Sequence, residues 1–178
     1  MHVSFFVGLI LMNKKEISLK KILQELSEKL PKFEDGRIDY STSDKAPVLN
    51  CFVKFESQIL ILKRSDKVRA YQGLWNSIGG YLDEPVALEE KVLEELREEL
   101  GIMPDLVLEI KKGKPYEFND KNIQKIWIIF PVLIELKIKP VVKLDWEHTD
   151  FKWINQTDLK NFEIVPGLEK ILSGVLVD

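Results

Sequence analysis

The sequence predicts an α+β sandwich, a mixed β-sheet with helices packed on it, preceded by an N-terminal helical extension. Strand-like apolar runs stand at 48–55, 59–64, 106–112 and 124–139. A long amphipathic helix interrupts them between Pro85 and Gly101, and a second helix closes the chain after Pro166. An apolar content of 45% over 178 residues supplies one core of ordinary size.

Composition excludes several classes. The net charge of −3 and the scattered lysines give no bulk attraction for nucleic acid, although a small phosphorylated ligand needs only a local basic pocket. Cys51 is the single cysteine and lies in a strand-like run, so a buried, reduced thiol in a cytoplasmic protein is expected, with no disulfide framework and no zinc spacing. The apolar stretch in residues 1–11, MHVSFFVGLIL, is too short to span a bilayer and lacks the marks of a signal peptide. It reads as an upstream translation start or as a packed N-terminal strand, and no membrane association is expected.

Taken in order, residues 1–45 form the extension and residues 46–178 the main domain. Ser18 is placed to cap a helix whose Leu19, Ile22, Leu23, Leu26 and Leu30 form one stripe before Pro31. Such a stripe packs on its own domain or, as the alternative, forms a homodimer contact. Val48–Phe55 and Ile59–Arg64 read as two strands joined at Glu56-Ser57, the first of them central. Lys63, Arg64, Lys67 and Arg69 follow closely. Arg64 ends a strand and is the best phosphate contact; Lys67 and Arg69 suit a phosphate contact or a solvated loop equally. Lys114–Asn122 reads as a polar loop after the strand Leu106–Lys112. In Gln124–Lys139, Pro131 implies a bulge or an edge. Tyr116, Phe118 and Trp127 are the aromatics available to stack on a base, with core packing as the ordinary role for each. Trp75 reads as core.

The stretch Gly80–Ile102, GYLDEPVALEEKVLEELREELGI, concentrates the chemistry. Pro85 suits the first helical position and Gly101 the stop. Leu88, Val92, Leu93, Leu96 and Leu100 make the buried stripe. With Leu96 at zero and about 100° per residue, Glu99 falls near −60°, Glu95 near −100° and Glu98 near −160°, on one flank. Glu90 and Glu94 point away, toward solvent. Carboxylates at the edge of a buried stripe repel one another unless a cation sits among them, and hard oxygen ligands suit Mg²⁺. A Glu-rich solvated face is the bland alternative, and it explains Glu99 poorly.

Gly80 followed by Glu95-Leu96-Arg97-Glu98-Glu99-Leu100-Gly101-Ile102 resembles the signature box of the Nudix hydrolase superfamily, G, five residues, E, seven residues, R-E-U-x-E-E-x-G-U. The register needs no gap. Val86 replaces the first glutamate and Glu94 replaces the arginine. The preceding Gly73-Leu74-Trp75 and Gly79-Gly80 resemble the run before the box, with Ile78 where proline is common. Trp146-Glu147-His148-Thr149-Asp150-Phe151-Lys152-Trp153-Ile154 resembles a later stretch of the same family.

The resemblance covers residues 46–177 and implies a Nudix-type α/β/α sandwich and Mg²⁺-dependent hydrolysis of nucleoside diphosphate-linked compounds, with Mn²⁺ as a substitute metal. ADP-ribose, a nucleotide sugar and a nucleoside triphosphate are representative small-molecule substrates. It implies metal ligands at Glu95, Glu98, Glu99 and the Gly80 carbonyl. Glu98 or Glu147 is the expected general base, and Glu147 or His148 an additional ligand. Arg64, Lys67 and Tyr116 are the expected substrate contacts. The two departures fall on positions that support the loop and orient the ligands, so a weakened enzyme is expected. The alternative is a degenerate Nudix-fold module that binds nucleotide or a partner without hydrolysis. Restoring Val86→Glu with Glu94→Arg is expected to raise activity.

Overall fold

The computed structural model describes residues 18–176. The expectations for residues 1–11 lie outside the described residues. Helix α1 (Leu19–Ser27) is followed by β1 (Lys45–Phe55), β2 (Gln58–Arg64), β3 (Trp75–Asn76) and β4 (Ile78–Tyr81). Then come α2 (Leu88–Leu100), β5 (Val107–Lys112), β6 (Tyr116–Asp120), β7 (Lys125–Leu136), β8 (His148–Asn155) and α3 (Leu168–Val175).

The strands form one mixed sheet around a parallel β1–β7 pair, Lys45 opposite Ile126 through Lys54 opposite Glu135. The other edge of β1 is shared: β4 pairs with its first half and β2 with its second. β2 carries β8 and β3, while β7 carries β5 and β6. Alternation with period two divides the side chains between two cores. On one face Leu49, Cys51 and Val53 of β1 and Ile128, Phe130, Val132 and Ile134 of β7 meet Val92, Leu96 and Leu100 of α2. On the other, Phe52, Ile59, Ile61, Ile129 and Leu133 meet Leu168, Ile171, Leu172 and Val175 of α3. This is an α/β/α sandwich with a mixed sheet, as expected.

Several local expectations need correction. Lys114–Asn122 is not a polar loop: Tyr116–Asp120 is a strand paired antiparallel with β7. Pro131 marks neither a bulge nor an edge, because β7 lies inside the sheet. It sits where the partner of β7 changes from β6 (Tyr116 opposite Ile129) to β5 (Lys112 opposite Val132). Its carbonyl accepts from Gly113 N at 2.9 Å, so the missing N–H faces the gap between those two strands. Pro85 does not open α2, whose N-cap is Ala87. Gly101 does close it, at φ 64° with its N–H on the Arg97 carbonyl. Ser18 stands at the N-cap of α1 without a side-chain capping bond. That helix packs on its own domain, Leu23 joining Ile38, Tyr40 and Ala46 in a small third cluster.

Candidate active site

Two glycines bring β4 against the α2 helix. Gly79 N donates to Glu99 Oε1 at 3.3 Å. At Gly80 a Cβ would overlap the Glu95 carboxylate, lying 2.7 Å from its carboxyl carbon. Glu95 therefore occupies the space a side chain at position 80 would need. The Glu99 side chain is only 5% exposed, and that of Glu95 13%.

A second group of residues arrives from the ends of β2 and β8. Arg64 pairs with His148 across a bulge in the β2–β8 ladder, and Ser65 N donates to the Glu147 carbonyl at 2.7 Å. The segment before β8 runs over the end of α2, with Asp145 N on the Glu99 carbonyl at 3.2 Å. His148 is buried, with Nε2 3.7 Å from Glu99 Oε2 and Nδ1 3.2 Å from Asp145 Oδ1. Arg64 donates through Nε to the Ala70 carbonyl at 3.0 Å.

Burial dominates the electrostatics. It pushes the Glu99 carboxyl well above the usual range, helped by Glu95 and Glu147 and opposed by the Gly79 N–H. Burial also raises Glu95, against the pull of Lys91, and raises Glu147, with Asp145 adding to it and Arg64 opposing. His148 is lowered by burial, against the pull of Asp145. Arg64 is lowered by burial, while Glu147 and Glu99 favour its charge. The arrangement is a set of oxygen donors with more negative charge than the protein compensates, which fits a hard divalent cation.

Not every expected residue is buried with this group. The Glu98 side chain, on the same flank of α2, is 58% exposed, with Arg97 at 3.9 Å. Among the described residues no three His, Cys, Asp or Glu side chains converge into a closed ligand shell. Lys67 is exposed, its N–H on Ser65 Oγ at 3.2 Å. Tyr116, the third expected substrate contact, lies apart from this group. As part of β6 it packs with the α3 cluster, on the sheet face opposite α2, and Lys170 Nζ lies 4.1 Å from its ring centroid. Phe118 and Trp127 belong to the same cluster, and Trp75 is core, edge-on to Phe162.

Lys91 is the residue that sequence reasoning missed. Glu94 is partly exposed, as expected from the wheel, its side chain 36% accessible, but it also pairs with Lys91 Nζ at 2.6 Å. The same ammonium lies 3.6 Å from Glu84 and 3.3 Å from Glu95. Burial works against its charge, yet the hydrogen bond to Glu94 and the charge of Glu95 outweigh it and hold its pKa above the ordinary value. The signal was available: on the wheel Lys91 falls near −140°, between Glu95 and Glu98, and four residues before Glu95.

Comparison with known proteins bears on family and fold. A family model described as NUDIX domain matches residues 45–174. Nucleoside triphosphatase NudI of Escherichia fergusonii is 24% identical over 130 residues, 68% of this chain and 89% of that protein. The MutT protein from Methanosarcina mazei Go1 superposes with a TM-score of 0.57 at 22% identity, covering 72% of this chain and 91% of the other. The NUDIX domain of Shewanella oneidensis NrtR, solved with ADP ribose, gives 0.62 at 17% identity over 73% and 85%. The two structures are likenesses of fold.

Proposed function

Because the chain belongs to the Nudix hydrolase family, we propose that it is a Mg²⁺-dependent pyrophosphohydrolase of nucleoside diphosphate-linked compounds, with Mn²⁺ able to replace Mg²⁺. The observation that carries this reading is the buried, under-compensated pair Glu95 and Glu99, seated on the two glycines of β4. Glu95, Glu99, Glu98 and the Gly80 carbonyl would hold the metal, which when bound neutralises pyrophosphate charge and polarises a phosphorus–oxygen bond.

The chain's own residues supply the rest. Glu147 combines partial burial with a raised pKa, which suits a group that accepts a proton from water near neutral pH. Glu98, exposed on the same helix, is the other candidate base. Arg64, charged and partly buried at the end of β2, would steady a phosphate, with Lys67 on the outer loop. The nucleoside triphosphatase name of one relative and the ADP ribose bound to a structural neighbour place both chemistries among the substrates to try.

The test is incubation of the full chain with Mg²⁺ and a panel of ADP-ribose, dinucleotides, nucleotide sugars and nucleoside triphosphates, following released phosphate or nucleotide. Turnover of at least one member is expected, and Glu98→Gln is expected to abolish it with the fold intact. Nucleotide binding without turnover would instead support a non-hydrolysing module, the reading favoured by Val86, Glu94 and the exposed Glu98.

A further inference from the structure

Lys91 is buried near the N-terminal end of α2, where a lysine is costly unless its charge is matched. Its side chain is 9% exposed and its ammonium meets Glu84, Glu94 and Glu95 at 3.6, 2.6 and 3.3 Å. Two of these partners lie on its own helix, at i+3 and i+4; Glu84 comes from the loop between β4 and α2. An exposed helical pair of this spacing is weak and restrains little. A buried ammonium held by three carboxylates is a fixed point, and it ties the loop to the helix.

Its contact with Glu95 is at Oε1, 3.3 Å away. Oε1 faces Lys91, and that same carboxylate fills the space over Gly80. Glu95 is thus confined between a glycine that leaves room for it and a lysine that holds it there. We propose that Lys91 is the positioning residue of this site, clasped by Glu84 and Glu94 so that it keeps the Glu95 carboxylate against Gly80, where a divalent cation needs it. The inference rests on the reading of Glu95 as a metal ligand. It also gives Glu94 and Glu84 a role: they anchor the lysine, so the signature's two departures come with a local replacement.

Positioning and simple charge make opposite predictions. Removing a cation beside carboxylates should by Coulomb's law strengthen their hold on Mn²⁺. Removing a residue that orients a ligand should weaken it, typically by about 10- to 100-fold. The experiment titrates Mn²⁺ alone into the full chain and follows free Mn²⁺ by electron paramagnetic resonance, with a thermal melt of each variant alongside. K91M is expected to lose affinity by about 10- to 100-fold, and K91R to keep most of it. K91M binding Mn²⁺ as tightly as the parent, or more tightly, overturns the proposal. If K91M does not fold, K91Q takes its place with the same two outcomes. E95Q and E99Q separate the levels: a parent chain whose Mn²⁺ binding survives both substitutions loses the metal reading and this inference with it. A parent whose binding depends on Glu95 but not on Lys91 loses only this inference.

Discussion

Gly80 is defined by its neighbour's carboxylate. The group that a Cβ would displace is the flexible end of Glu95, not backbone, so the structural cost of filling the space is small. Gly80→Ala is therefore expected to unfold within a few degrees of the parent, yet lose at least about tenfold in activity because Glu95 must move. Thermal melts together with kcat/KM check both halves; an unchanged kcat/KM would mean that the placement of Glu95 does not matter. Glu94 shows what the wheel leaves out, an ion pair made by a partly exposed carboxylate. The expectation that Val86→Glu with Glu94→Arg would raise activity does not suit this structure, since Glu94 is the closest partner of Lys91. Placing a guanidinium there removes a charged hydrogen bond and adds a like charge. The double variant is expected to lose roughly 2 kcal/mol of stability, measurable by urea denaturation, and to gain no activity.

Among the elements, the N-terminal extension does more than precede the domain. Ile38 N donates to the Asp83 carbonyl and Tyr40 Oη to the Leu82 carbonyl, each at 2.8 Å. Arg37 Nη1 lies 3.6 Å from the buried Asp83 carboxylate, and the Tyr40 and Tyr81 rings are 5.5 Å apart. All four contacts fall on the stretch that links Gly80 to α2, three residues or fewer from Glu84. The extension thus braces the loop that carries Lys91's outer partner. Tyr40→Phe leaves the Leu82 carbonyl without its partner in a buried setting, at an expected cost of about 1–2 kcal/mol. Hydrogen exchange should show faster opening of residues 81–87, and exchange rates unchanged there would remove the brace. None of these contacts was legible in the sequence. They join residues more than forty positions apart, and IDY alone carries no signal for what it will touch.

For the whole molecule, the site is a region where stability yields to chemistry. Glu99 is buried against Glu95, Glu147 and Asp145, with one backbone N–H in return. Glu99→Gln keeps an acceptor for Gly79 and removes the repulsion. In the absence of divalent metal it is expected to stabilise the fold by about 1 kcal/mol while abolishing metal-dependent turnover. A metal-free melt that falls below the parent's would show that the charge is already compensated.

Much of the fold was written locally. The two-residue alternation in β1, β2 and β7, the apolar stripe of α2 and the left-handed Gly101 each depend on a residue and its near neighbours, and each was readable. The family signature singles out Gly80, Glu95 and Glu99, which the fold brings together, for the same reason: their spacing along one strand, loop and helix is a property of the chain. Other outcomes depended on elements brought from a distance. Tyr116 lies on the α3 face because β6 pairs with β7, a pairing that a polar, charged stretch does not announce. Pro131 is tolerated inside the sheet because two different strands end on either side of it. By itself the sequence determined the sandwich, the C-terminal stop of its main helix and the kinds of group offered to a substrate. Only the tertiary structure decided which carboxylates are buried together and that Lys91 holds one of them in place. Burial and charge pairing are set by what packs around a residue, and that environment is assembled from distant parts of the chain.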